Sequence, residues 1–70
     1  MPTGAEAYER LPGHLKAIVP FIAEGKSNHE IAAAASLALH TVENYVSEIM
    51  QTTECKTRAE LIVNAIAWVA

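Results

Sequence analysis

Ser27-Asn28-His29-Glu30-Ile31-Ala32, followed after Ala33-Ala34-Ala35-Ser36-Leu37-Ala38-Leu39-His40 by Thr41-Val42-Glu43-Asn44-Tyr45-Val46-Ser47, is the stretch that decides how this chain folds. Ser27 and Glu30 form a capping box: the hydroxyl and the carboxylate each satisfy a backbone amide that a helix start leaves without a partner. The box opens a short helix running to about Ala35. Its alanines, Ala32 to Ala35, let a neighbouring helix approach closely. Ser36-Leu37-Ala38 reads as a turn, with Leu37 plugged into the core. Val42, Val46 and Ile49 then recur at helical spacing and predict a second helix from roughly Leu39 to Gln51. Its start is weak, because Ala38 offers no side-chain acceptor, a loss worth ~1 kcal/mol. Two helices joined by so short a turn read as a helix-turn-helix of the kind whose second helix enters the major groove of DNA.

Upstream, Leu15, Ile18, Val19 and Ile22 follow the i, i+3, i+4, i+7 pattern of an amphipathic helix spanning Leu15 to Ala23. Gly25 supplies its left-handed end. Pro20 falls inside it, where it lacks a backbone donor and crowds the preceding turn. A kink, or an irregular start near His14, is therefore expected. Downstream, Thr57-Arg58-Ala59-Glu60 repeats the capping-box pattern and opens a last helix that reaches the C-terminus. That helix is apolar nearly all round, with Asn64 its only polar residue after Glu60. So small a domain cannot cover every face of it, and the surplus face implies a partner. Residues 1–10 have no sustained apolar period and read as a linker or frayed lead-in. Residues 11–70 form one all-α domain of four helices.

Composition agrees with a small globular unit. The chain has 70 residues, 51% of them hydrophobic, which is far from the profile of a disordered segment. The single cysteine, Cys55, cannot form an internal disulfide; a secreted, cystine-stapled module is excluded and a cytoplasmic one fits. Neither apolar run, Ile31 to Leu39 or Leu61 to Ala70, is long enough to span a bilayer. His14, His29 and His40 stand too far apart to suggest a metal site. No nucleophile–base arrangement or phosphate-cradling glycine loop is present, so neither an enzyme nor a cofactor is expected.

With these motifs in place, residues Leu11 to about Ala67 resemble the LuxR-type (GerE-like) helix-turn-helix domain found at the C-terminus of many bacterial response regulators and quorum-sensing regulators. The residues carrying the resemblance are Leu11, the run from Ala23 to Ala32, Thr41-Val42, Asn44, Val46-Ser47, Ile49 and Arg58-Ala59-Glu60-Leu61. The resemblance implies that the third helix is the recognition helix and that the fourth dimerises, here through Val63, Ala67 and Trp68. It places base contacts at Glu43, Asn44 and Ser47. Lys26 and Thr41 fall where backbone phosphates are commonly touched, and His40 at another contact position at the start of that helix. Read from the residues themselves, the cations available to phosphates, Lys16, Lys26, Lys56 and Arg58, all lie outside the third helix. The implied partners are double-stranded DNA, a second copy of the chain and an upstream receiver or sensor domain.

The electrostatics run against that assignment. Net charge is −3, and no lysine or arginine lies between Lys26 and Lys56. Glu43 stands where the family usually has lysine, Tyr45 where it often has histidine, and Thr53-Glu54 where leucine-glycine is frequent. Affinity for duplex DNA rests on neutralised phosphates, so weak binding by a monomer is expected. Asn44 is the best base reader present, since its amide can pair bidentately with adenine, and Glu43 can accept from cytosine N4. Each also reads as an ordinary solvated residue on an exposed helix. The alternative to a DNA reader is a protein-interaction module that keeps the fold and has lost most DNA readout.

Overall fold

The computed structural model describes residues 4–70. Six helices follow one another: α1 (Ala5–Arg10), α2 (Gly13–Lys16), α3 (Val19–Ala23), α4 (Asn28–Ala35), α5 (Leu39–Thr53) and α6 (Arg58–Val69). The four-helix pattern is preserved, with α2 and α3 together forming the first helix, α4 the second, α5 the third and α6 the fourth. No strand occurs among the described residues.

Pro20 explains the split first helix. Its nitrogen cannot donate, so the chain breaks at Ala17 and Ile18 and restarts with Pro20 in the first turn of α3, where no donor is needed. The Ile18 carbonyl accepts from both Phe21 and Ile22 and closes the new turn. The apolar stripe survives the break: Leu15, Ile18, Val19 and Ile22 are all buried.

Three helices end in the same way. After α3, Gly25 has φ of 81°, the Lys26 amide donates to the Phe21 carbonyl, and the Gly25 amide donates to Ile22. These are the two bonds of a Schellman end. After α4, Ser36 (φ 57°) takes the left-handed position while Leu37 donates to Ala32 and Ser36 to Ala33. After α5, Glu54 (φ 59°) takes it while Cys55 donates to Met50. Only the first of these positions carries glycine. A side chain in the left-handed region costs ~1–2 kcal/mol, partly offset by the greater flexibility glycine has when unfolded. Ser36→Gly and Glu54→Gly should therefore each stabilise the domain by about 1 kcal/mol and raise its melting temperature by ~4–8 °C. Thermal unfolding followed by circular dichroism checks this; unchanged midpoints would show that the strain is relieved elsewhere.

The expected lead-in is partly replaced by structure. Met1, Pro2 and Thr3 lie outside the described residues, but from Gly4 onward the chain packs on the body. Tyr8 stacks on Trp68 with ring centroids 5.3 Å apart and planes 11° from parallel, and the Lys16 ammonium lies 5.2 Å from the Tyr8 ring centre. A β-carbon at Gly4 would come within 3.0 Å of Trp68 Cζ2 and 3.2 Å of the Thr53 carbonyl. The absence of a side chain there is what lets the segment reach α5 and α6. One aromatic and one glycine are too sparse a pattern to register as a helix in the sequence.

The core gathers Leu11, Leu15, Ile18, Val19, Ile22, Ile31, Ala32, Val42, Val46, Ile49, Cys55, Leu61 and Ala65. α6 packs chiefly on α3, and α4 on α5. Thr53, in the place of the family's leucine, is buried, with its hydroxyl donating to the Ile49 carbonyl at 2.7 Å. Asn64 donates to the sulfur of Cys55 at 3.4 Å, which accounts for the one amide on the otherwise apolar last helix. No helix among the described residues is long and apolar enough to cross a membrane.

Candidate nucleic-acid interface

α5 sorts its residues by side. Val42, Val46, Ile49 and Thr53 are buried, whereas His40, Glu43, Asn44, Ser47, Glu48, Gln51 and Thr52 are exposed. At about 100° per residue, His40, Asn44, Ser47 and Gln51 fall along the middle of the outer face, with Glu43 and Glu48 on its two flanks. Gln51 was not among the residues singled out from sequence. Its spacing of four from Ser47 and seven from Asn44 was the available signal. Thr41 is half-buried, and Tyr45 leaves the outer face to meet His14 edge-on, with ring centroids 5.1 Å apart.

The turn before the helix is short and well tied. Ser36 and Leu37 both bond back into α4, and Thr41 and Val42 donate to the Ala38 carbonyl. Ala38 makes no side-chain cap, so α5 begins on backbone bonds alone. The Ser27 box at the start of α4 is complete: Glu30 donates its amide to the Ser27 hydroxyl at 3.2 Å and accepts from the Ser27 amide at 2.8 Å. The Ser27 backbone bond first, then its hydroxyl interaction, favours the carboxylate and holds Glu30 below the usual glutamate range. The second box is shifted. Glu60 donates to the Thr57 hydroxyl, but its carboxylate accepts from the Lys56 amide rather than that of Thr57.

The cations are mostly engaged. Arg10 pairs with Glu6, Lys16 with Glu9, and Lys26 with Glu24, at 3.4, 3.4 and 3.5 Å. Exposed pairs of this kind are worth ~0–1 kcal/mol and exchange readily, so Lys26 stays available to a phosphate. Arg58 is different. Its Nη1 donates to the Asn28 side-chain carbonyl and its Nη2 to the Lys26 backbone carbonyl, both at 2.7 Å and partly buried. The guanidinium expected to face phosphate is directed into the protein instead.

α6 leaves apolar area uncovered. Val63 is 66% exposed, Ile66 53% and Val69 41%, and Ala67 is exposed too. Val63, Ile66 and Ala67 share the side opposite buried Leu61 and Ala65. Trp68, read from sequence as a dimer contact, instead lies on the inner side, half-buried against Tyr8. Helical spacing distinguishes these two sides, but α1 had to be located before the tryptophan could be assigned to the inner one.

Comparison with known proteins agrees with this geometry. The family model described as bacterial regulatory proteins, luxR family, matches residues 16–65. The response regulator protein VraR of Staphylococcus aureus is 37% identical over 65 residues, which cover 93% of this chain and 31% of that protein. The VraR proteins of Staphylococcus saprophyticus and Staphylococcus epidermidis match with the same identity and coverage. The chain thus spans under a third of the length of these relatives.

Proposed function

Because this chain belongs to the LuxR family of bacterial regulatory proteins, whose helix-turn-helix domain binds DNA to regulate transcription, we propose that it reads the major groove through the outer face of α5 as a homodimer joined along α6. One observation carries the proposal: a helix with an all-polar exposed face stands behind a short, well-bonded turn, with Val42, Val46 and Ile49 on its other side buried in the core. Asn44 supplies the principal base contact; Ser47 and Gln51 lie one and two turns further along, and His40 lies one turn before. Lys26 and Lys56 hold phosphates from the adjoining turns. The similarity to response regulators supports a cytoplasmic regulator in which an upstream receiver domain governs this output domain.

Selection from a random duplex library at two salt concentrations tests the proposal, followed by titration of the labelled chain with the selected duplex. The amide signals of Glu43, Asn44 and Ser47 should shift first. The salt dependence should be shallow, because few cations displace counterions. If those three signals stay in place while another surface responds, α5 is not the reading helix. The interaction-module alternative draws on exposed Glu43 and Glu48 and on the engaged cations; it gains if no duplex is enriched.

A further inference from the structure

Arg58 occupies the first turn of α6, yet both of its side-chain hydrogen bonds are to residues some thirty positions earlier. The acceptors belong to different groups, the Lys26 backbone and the Asn28 side chain. A planar guanidinium satisfies two such acceptors at once, whereas the single ammonium of lysine does not fit the same fork. Asn28 is the first residue of α4, and Lys26 lies just beyond the Schellman end of α3. The arginine thus ties the start of α6 to the start of the helix-turn-helix. Packing does this only indirectly, since α6 rests chiefly on α3, and α4 on α5.

We infer that Arg58 is a positioning residue for duplex binding: it sets the angle of the α4–α5 unit against α6, and so the placement of each reading helix within a dimer. This inference rests on the groove-reading proposal. A two-fold complex makes that angle matter, because the two reading helices must meet half-sites at a fixed separation. The same fork anchors the backbone from which Lys26 extends. Arg58 therefore acts on DNA through other residues and contributes no phosphate contact itself.

The test uses Arg58→Ala, Arg58→Lys and Asn28→Ala, with Lys26→Ala as the phosphate-contact control. Binding to the library-selected duplex is measured across a salt series, at a temperature where circular dichroism shows every variant folded. Both Arg58 variants should weaken binding on the order of tenfold, with the slope of log K against log salt unchanged. Lys26→Ala should lower that slope by about 0.9 per protomer. Without DNA, hydrogen exchange at Glu30 and Ile31, whose amides bond to Ser27, should quicken in the Arg58 and Asn28 variants. A slope that falls with Arg58→Ala makes the residue a phosphate ligand and overturns the inference. Unchanged affinity in folded variants overturns it as well, leaving a purely structural bond. Unchanged exchange with wild-type binding intact removes the brace alone, whereas a wild-type chain that binds no duplex brings down the groove-reading proposal and the role of Arg58 within it.

Discussion

Glu43→Lys is expected to tighten duplex binding on the order of a hundredfold at low salt. The side chain is exposed on the flank of the outer face of α5, so the substitution requires no repacking. It changes the local charge by two units in each protomer, against the phosphates that line a groove. A unit charge near a phosphate in water is worth ~1 kcal/mol, and each 1.4 kcal/mol is about tenfold in affinity. Doubling over the proposed dimer accounts for the size of the effect, even after screening. The salt dependence should steepen together with the affinity, because each added cation releases counterions. Glu43→Gln should give roughly half the effect on a logarithmic scale. Titration of the variants at low and high salt decides the matter: equal affinities across the series mean that α5 never enters the groove, and the interaction module becomes the better account.

In the dimer proposed along α6, Val63→Asp and Ile66→Asp should each give a monomer and weaken binding to a two-fold duplex by ~10²-fold or more. These side chains are 66% and 53% exposed in the single chain, so a carboxylate there meets water in the monomer and an apolar partner surface in the dimer. Burying an unpaired charge at such a contact costs several kcal/mol. Each half-site would then bind alone and lose the gain from linking two weak contacts, which reaches ~10²–10⁴. Aspartate inside a helix costs at most ~0.7 kcal/mol in propensity, so helical content should be retained. Sedimentation velocity and circular dichroism separate the two effects. Dimers that persist in both variants would place the protomer contact away from α6.

These two expectations depend unequally on sequence and structure. That Glu43 is exposed follows from the spacing of Val42, Val46 and Ile49, because helical period alone assigns the opposite side to solvent. That Ile66 rather than Trp68 belongs to the outer face of α6 required knowing where Tyr8 lies. Arg58 shows the difference most clearly: as a cation near a DNA-binding motif it reads as a phosphate ligand, and only its two partners thirty residues away show that it is already engaged.

From its sequence alone, the chain determined the helices after α1, the Ser27 box, the left-handed end at Gly25, the break imposed by Pro20 and the buried stripe of α5. All of these are settled among residues within about five positions of one another, by backbone donors, φ preferences and helical period. The tertiary structure alone decided the docking of α1, the inward turn of Trp68, and the use made of Arg58. Each of these depends on which surfaces meet after the chain has folded back on itself, and no local spacing encodes that.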